Sequence, residues 1–362
     1  MPLHPAPLAD WPFRKGPFFL VAGPCAAESR EQVMATAHAL KGLPVSLFRA
    51  GIWKPRTRPN SFEGMGVAAL AWLQEMKQHC GLPYCVEVAN SEHVEAALKY
   101  GADALWIGAR TTVNPFTVQE IADALAGIDI PVLIKNPVNP DVDLWTGAME
   151  RFLQSGKTRV MAIHRGFSTY HQTIYRNRPM WEIPLELKRR MPGLPLLCDP
   201  SHISGKRSLL QEVSQKALDL NFDGLMIETH PNPEEARSDR EQQLTPVALH
   251  KLLDNLLLRK SGTEDPLLLS SLEELRKEVD RLDDAILQTI AERMELSEEI
   301  GKFKQENGLA IYQPERYNEI LTRMMGQALA QNLSADLIAR IWELIHKESI
   351  RHQRLVMRGK NQ

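Results

Sequence analysis

Val45-Ser46-Leu47-Phe48-Arg49-Ala50-Gly51-Ile52-Trp53-Lys54-Pro55-Arg56-Thr57 joins an apolar run to a loop with three fixed positive charges. The run Val45–Phe48 reads as a strand, which puts the cations at its C-terminal end. Arginine offers a planar fork for phosphate or carboxylate, and lysine offers a compact charge. A solvated basic turn uses the same charges. Here Gly51, Ile52, Trp53 and Pro55 stiffen the loop and give it an apolar side, which suits a small anionic ligand.

The same pattern repeats along the chain. Apolar runs at Phe18–Ala22, Val45–Phe48, Tyr84–Val88, Ala104–Ile107, Val132–Ile134, Val160–Ile163, Leu194–Leu197 and Gly224–Ile227 alternate with amphipathic helical segments. Strands alternating with helices predict parallel βαβ units, and near-continuous apolar strands predict burial on both faces. Eight such units in about 240 residues predict a (β/α)8 TIM barrel; an open doubly wound sheet is the alternative. The residues after each run are Gly23-Pro24-Cys25, Arg49 with Lys54, Glu87, Gly108-Ala109-Arg110, Lys135-Asn136-Pro137, His164-Arg165-Gly166, Asp199-Pro200-Ser201-His202 and Glu228-Thr229-His230-Pro231. Barrel enzymes build their sites on this C-terminal face. Cations follow strands two, four, five and six, and metal-type ligands follow one, seven and eight.

Composition limits the reading. Hydrophobic content of 43% and charged content of 24% in 362 residues fit a globular protein of two domains, or a barrel with an appendage. A net charge of -2 gives no argument for nucleic acid or an anionic membrane, so neither is expected as a partner. Four cysteines without CxxC spacing read as reduced thiols in a cytoplasmic protein. The apolar run after Arg14-Lys15 is too short and too bracketed by Pro17 and Pro24 to be a signal peptide.

Lys260-Ser261-Gly262-Thr263-Glu264-Asp265-Pro266 has linker composition. The expected organisation is a barrel over 1–259, a linker over 260–271 and a helical domain over 272–362. In the last, Leu272, Leu275, Val279, Leu282, Ile286 and Ile290 step by three and four, and Arg293 and Lys304 fall on or beside the continuation of that stripe. A helix over 272–305 spans roughly 50 Å. That is long for a small monomeric bundle, so a partner chain is expected. Further helices are expected from near Pro314 and from about Ser334, where the stripe Ile338, Ile341, Ile345 ends in Ser349 and Gln353.

Cys25, His202, Glu228 and Asp239 together make a mixed thiolate, imidazole and carboxylate set for a divalent first-row cation, whose softness does not select among manganese, iron, cobalt and zinc. Singly, Cys25 also reads as a small core residue and Asp239 as a helix cap. Gly23-Pro24-Cys25, Lys54-Pro55-Arg56-Thr57, Ile107-Gly108-Ala109-Arg110, Asp199-Pro200-Ser201-His202, and Glu228-Thr229-His230-Pro231 with Ser238-Asp239 resemble the 3-deoxy-D-arabino-heptulosonate 7-phosphate (DAHP) synthases. The resemblance covers roughly 15–258 and is to the short branch near the octulosonate phosphate synthases, which carry an Asn-containing motif in place of Lys-Pro-Arg-Thr. It implies a metal held by Cys25, His202, Glu228 and Asp239, with manganese the expected ion and iron, cobalt or zinc as alternatives. It implies phosphoenolpyruvate on Arg49, Lys54, Arg110, Lys135 and Arg165, and erythrose 4-phosphate on Arg56 and Thr57. Lys54 is the expected proton donor to the new alkoxide. Glu87 reads either as an orienting group or as a structural carboxylate.

The motifs Leu275-Arg276, Ala291-Glu292-Arg293, Gly301-Lys302-Phe303-Lys304, Pro314-Glu315-Arg316, and Ser349 with Gln353 resemble the all-helical chorismate mutases over 272–355. The resemblance implies a three-helix fold acting as a homodimer. It puts Arg276 of one subunit with Arg293 and Arg316 of the other on the carboxylates of chorismate. Lys304 and Gln353 would flank the ether oxygen, with Ser349 supporting the site and Gln313 lining it. Tyr317 and Gln313 depart from the family, where Glu and Asp are common. The chain as a whole reads as a bifunctional enzyme of aromatic biosynthesis, in which the helical domain also carries feedback control, with prephenate as the effector. The alternative is an octulosonate-type synthase with a non-catalytic helical module.

Overall fold

Each barrel strand is short, apolar and punctuated by turn formers. The computed structural model describes residues 4–54, 62–170, 173–260 and 262–358. The strands are β1 (Phe19–Gly23), β2 (Leu47–Ala50), β3 (Tyr84–Val88), β4 (Ala104–Ile107), β5 (Val132–Lys135), β6 (Val160–His164), β7 (Leu196–Cys198) and β8 (Gly224–Glu228). They pair in parallel, in chain order, and β1 closes on β8 with Phe19 opposite Gly224 and Gly23 opposite Glu228. The expected barrel is therefore observed, and the open sheet is not. β7 starts two residues later than the apolar run suggested: Leu194 lies before the pairing, and Pro195, which has no N–H to donate, joins β6 only through its carbonyl, which accepts from the Ala162 N–H at 2.9 Å.

Alternation along the strands sorts the core into two layers. Phe19, Val21, Leu47, Cys85, Trp106, Leu133, Met161, Ile163, Leu197 and Met226 fill the barrel. Leu20, Ala22, Phe48, Val86, Leu105, Ile134, Ala162 and Leu225 face outward, against the helices. Trp11 packs edge-on against Phe19, closing the N-terminal mouth. Chemistry is thus left to the opposite end. The outer helices are α1 (Arg30–Leu40), α2 (Val67–Cys80), α3 (Ser91–Lys99), α4 (Ala109–Thr112), α5 (Pro115–Ala124), α6 (Val142–Gln154), α7 (Glu182–Arg190), α8 (Pro200–Ser204), α9 (Leu210–Asp219) and α10 (Pro246–Asp254). Their starts follow capping rules. Ser29, Asn90, Asn114, Asp141 and Thr245 accept from backbone N–H groups of the first turn, and Pro115 and Pro246 occupy first helical positions.

Contacts divide the chain into two units, Met1–Ser261 and Gly262–Gln362. The second contains α11 (Pro266–Glu306), α12 (Pro314–Ala330) and α13 (Ala335–Met357). α11 runs for 41 residues and begins inside the stretch expected to be linker. The reason is local: Asp265 accepts from the backbone N–H of Leu267, and Pro266 takes the first helical position. α11 packs on α13, where Gly301 is required for close approach, since a Cβ there would lie 3.0 Å from Gln353 Cα. Residues 266–289 are all exposed, and Leu272, Leu275, Val279, Leu282 and Ile286 form an apolar stripe along them. No helix among the described residues is long and apolar enough to cross a membrane.

Candidate active sites

The inward series inside the barrel continues into polar residues. Leu47, Cys85, Leu133, Ile163, Leu197 and Met226 are each followed, two positions on, by Arg49, Glu87, Lys135, Arg165, Asp199 and Glu228. Alternation therefore aims all six at the C-terminal mouth. Where β4 would add a seventh side chain it has Gly108, whose Cβ would lie 2.0 Å from Glu87 Oε1. Arg49 Nη2 lies 3.1 Å from Glu228 Oε1, and Lys135 Nζ donates to Asp199 Oδ2 at 2.8 Å. Both pairs are almost fully buried. Desolvation makes such pairs poor devices for stability, so their concentration at one mouth marks a site. Arg49 lies over the Trp106 ring at 5.1 Å, and Trp106 Nε1 donates to Glu87 Oε2 at 3.0 Å. Glu87 thereby holds the ring beneath Arg49.

Ligand atoms of Cys25, Glu228 and Asp239 lie within 4.8 Å of one another. His202 stands beside this group rather than in it. Its Nδ1 is 2.8 Å from Asp199 Oδ2 and 3.9 Å from Glu228 Oε1. The α8 turn fixes that placement, with Asp199 as its N-cap accepting from the His202 N–H at 3.0 Å. Asp239 is not a helix cap; it adopts φ +49° in the loop after β8. Burial, reinforced by Glu228, pushes the Cys25 thiol up to about 12. Burial is the largest single effect on Glu228 and Asp239 and opposes their ionisation, but the neighbouring cations together outweigh it, His202 and Arg49 foremost for Glu228 and His202 and Arg176 foremost for Asp239, and both carboxyls end below the usual range. Glu228 Oε1 is buried without a hydrogen bond. A thiol and two ionised carboxylates converging at one point, one of the carboxylate oxygens buried without a hydrogen bond, fit a divalent cation of the first row.

Cations surround this group. Lys54 Nζ donates to the Cys25 carbonyl and lies 3.1 Å from Cys25 Sγ. Arg165 Nη1 donates to Asn177 Oδ1 at 2.7 Å, and its backbone N–H donates to Asn136 Oδ1. Burial lowers the Arg165 guanidinium to about 10; Asp199 opposes this, while the neighbouring Arg176 and Arg110 charges add to the lowering. Arg110 sits in α4, directly after β4. Arg56 and Thr57 lie outside the described residues. The structure also adds residues that the sequence reading did not assign. Asp199 pairs with Lys135 and His202, and its place in the inward series was a usable signal. Arg176, Gln242 and Gln243 surround the carboxylates from loops that carry no periodicity. A cavity of about 570 Å³ opens beside Arg176 and Asp239, with Lys206, Arg237 and Arg240 on its wall.

The helical unit holds a second cavity, of about 630 Å³. Arg293, Lys304, Gln313, Arg316, Ser349 and Gln353 all line it. Arg293 Nη1 donates to Ser349 Oγ, and Lys304 Nζ donates to the Ile311 carbonyl at 2.6 Å. Gln353 is buried, and its Oε1 has no hydrogen-bond partner. Tyr317, Arg323, Trp342 and His346 line the cavity as well. The last three were missed, although Arg323 lies seven residues after Arg316 and His346 three before Ser349, both on a shared helix face. The Tyr317 ring lies against His346, tilted by 30° with centroids 4.3 Å apart. Burial holds His346 below its usual value, with Arg293 and Lys304 adding to the effect. Arg276 does not line this cavity. It is exposed on α11, roughly 25 Å along the axis from Arg293.

The sequence profile of the DAHP synthetase I family matches residues 14–259, and that of chorismate mutase type II matches 275–354. A phospho-2-dehydro-3-deoxyheptonate aldolase of Thermotoga maritima is 33% identical over 237 residues, spanning 66% of this chain and 68% of that protein. A 2-dehydro-3-deoxyphosphooctonate aldolase of Caulobacter vibrioides is 27% identical over 256 residues, spanning 66% and 86%. The crystal structure of the Thermotoga maritima phospho-2-dehydro-3-deoxyheptonate aldolase aligns with a TM-score of 0.59 at 32% identity, over 66% of this chain and 67% of that one. The truncated 3-deoxy-D-arabino-heptulosonate 7-phosphate synthase of the same organism gives 0.60 at 29%, over 69% and 90%. A closed parallel barrel with ligands and cations gathered at one mouth thus coincides with the longer match, and this chain belongs to the DAHP synthetase I family, with a second, helical segment that matches chorismate mutase type II.

Proposed function

We propose that the chain is a bifunctional shikimate-pathway enzyme. Its barrel condenses phosphoenolpyruvate with erythrose 4-phosphate to DAHP and phosphate, and its helical unit rearranges chorismate to prephenate. The observation that carries the first half is Lys54 Nζ at 3.1 Å from Cys25 Sγ, beside the Glu228 and Asp239 carboxylates. Arg49, Arg110, Lys135 and Arg165 bind the phosphate and carboxylate of phosphoenolpyruvate, and Arg56 and Thr57 take the sugar phosphate. These charges offset the repulsion between two anionic substrates. Cys25, Glu228 and Asp239, with His202 beside them, would hold a divalent cation, for which manganese is our preferred ion. When bound, that cation supplies Lewis-acid polarisation of the aldehyde. The chain's own residues align C3 of phosphoenolpyruvate with the aldehyde carbon, and the C–C bond forms there. Lys54 Nζ gives a proton to the alkoxide left on the former aldehyde oxygen. Water adds to the cationic C2, and the C2–O bond breaks to release phosphate.

The helical cavity needs no nucleophile. Arg293 and Arg316 hold the two carboxylates of chorismate, and Lys304 and Gln353 donate to the ether oxygen as charge develops on it. Gln353 donates as a neutral amide. Arg276 lies too far from its own cavity to reach it, which supports its service to a partner subunit. The exposed stripe Leu272–Ile286 supports the same homodimer. Four buried free cysteines favour a reducing, cytoplasmic setting. Feedback by prephenate on the barrel reaction completes the reading, and rests on the fusion alone. The test is phosphate release from phosphoenolpyruvate with erythrose 4-phosphate against arabinose 5-phosphate. Turnover of erythrose 4-phosphate is expected; turnover of arabinose 5-phosphate alone sinks the barrel assignment.

A further inference from the structure

The three ligand-type residues of the barrel come from distant parts of the chain: after β1, at the end of β8, and in the loop beyond it. Two adjacent glutamines, both buried, tie them together. Gln242 Nε2 donates to Glu228 Oε2 at 2.7 Å, while Gln242 Oε1 accepts from Arg176 Nη1 at 2.7 Å. The same Arg176 Nη1 donates to Asp239 Oδ1 at 2.9 Å. Gln243 Oε1 accepts from the Cys25 backbone N–H at 2.9 Å, and its Nε2 donates to the carbonyl of Ser238, the residue before Asp239, at 2.9 Å.

The geometry points to Gln242, Gln243 and Arg176 as a positioning clamp that presents Glu228 and Asp239 to a divalent cation as one-oxygen donors, through Glu228 Oε1 and Asp239 Oδ2. The other oxygen of each carboxylate is taken, Glu228 Oε2 by the amide and Asp239 Oδ1 by the guanidinium. The remaining two turn toward Cys25 and Arg49: Glu228 Oε1 is buried without a hydrogen bond, with Arg49 Nη2 at 3.1 Å as its ion-pair partner, and Asp239 Oδ2 accepts from Cys25 Sγ at 3.4 Å. An amide suits position 242 because it donates to a carboxylate and accepts from a guanidinium at once. A carboxylate there would crowd a third negative charge against Glu228. The clamp also restrains Asp239 from both sides, through its own Oδ1 and through Ser238. That matters because φ +49° is uncommon for a residue with a Cβ. Gly205 leaves room for the arginine, since a Cβ there would come within 2.5 Å of Arg176 Cβ.

The inference rests on the divalent-cation reading above, and its test separates the two. Metal-stripped full-length protein is titrated calorimetrically with Mn2+, and its Co2+ adduct is examined for the thiolate charge-transfer band that reports Cys25. Gln242→Met and Arg176→Met are expected to weaken Mn2+ binding by about 10–100-fold, as loss of partners behind metal ligands does. The double variant is expected to bind more weakly than either single variant, because Gln242 holds Glu228 and Arg176 holds Asp239, but by less than the product of the two effects, because the two residues also bond each other. Thermal unfolding in chelator confirms that each variant folds. Arg176, whose side chain is 45% exposed, keeps the test open if Gln242→Met does not fold. Native protein that binds Mn2+ beside variants within about twofold of it overturns the clamp and leaves the metal reading standing. Native protein that binds neither ion overturns both.

Discussion

At the scale of single residues, burial decides what each charged group does. His164, at the end of β6, is enclosed by Trp145, Phe167, Trp181 and Phe222. Burial pushes its pKa down to about 3, with Arg165 adding to this and the Pro179 carbonyl partly offsetting it. Below the ordinary imidazole value the unfolded chain takes up a proton that the folded chain refuses. The stability His164 contributes is present above that value and is lost as pH falls toward 3. Between about pH 7 and pH 5 the loss amounts to about 2 kcal/mol. His164→Phe, which suits the aromatic surroundings, is expected to flatten the dependence of the barrel's melting temperature on pH across that interval; an unchanged slope refutes the assignment. In the helical unit, Gln353→Glu replaces a neutral donor with one that must be protonated first. Mutase activity is expected to fall by about 10²–10³ at neutral pH and to recover as pH is lowered. A pH profile parallel to that of the native protein would falsify the role given to Gln353. Much of this scale was legible in the sequence. Arg49, Lys135, Arg165 and Glu228 continue an alternating series, and Lys304, Ser349 and Gln353 interrupt an apolar stripe. Arg176, Gln242 and Gln243 were not legible, because polar loop residues carry no periodic signal and their partners lie far off in the chain.

At the scale of elements, the chain leaving β2 brings Gly51 and Lys54 to the barrel mouth. Gly51 is where that segment passes closest to its neighbours. A Cβ there would lie 2.5 Å from both the Cys25 carbonyl and Lys54 Nζ. Gly51→Ala is therefore expected to displace Lys54 from Cys25 and cut synthase turnover by about 10²-fold, in line with loss of a positioned proton donor. Mutase turnover should hold in the same sample. A synthase rate near native would show that Lys54 is not held by this approach. The eight strands were legible because burial on both faces leaves unbroken apolar runs. Their ends were less so, as at β7, since pairing rather than composition sets a strand's limits. The start of α11 was hidden for a related reason. Asp265-Pro266 reads as linker by composition, but as a cap and first helical turn by geometry.

At the scale of the whole molecule, two chemistries with different needs share one chain. The barrel gathers a thiol and two carboxylates, the only group of this kind among the described residues, whereas the helical cavity is lined by cations, an amide and aromatic rings. Metal dependence should therefore divide the activities cleanly. The two domains were legible as a change of period, from short apolar runs to three-and-four stepping. The proposed homodimer rests on an apolar face of a helix too long for its own bundle. The decisive measurement uses one preparation of the full-length protein. Phosphate release from phosphoenolpyruvate with erythrose 4-phosphate and loss of chorismate are followed before chelation, after it, and after Mn2+ is restored. Both activities are expected at the outset, with chelation abolishing the first, Mn2+ restoring it, and the second unchanged throughout. Synthase turnover that survives complete removal of divalent cations, or no loss of chorismate at any stage, would contradict the account.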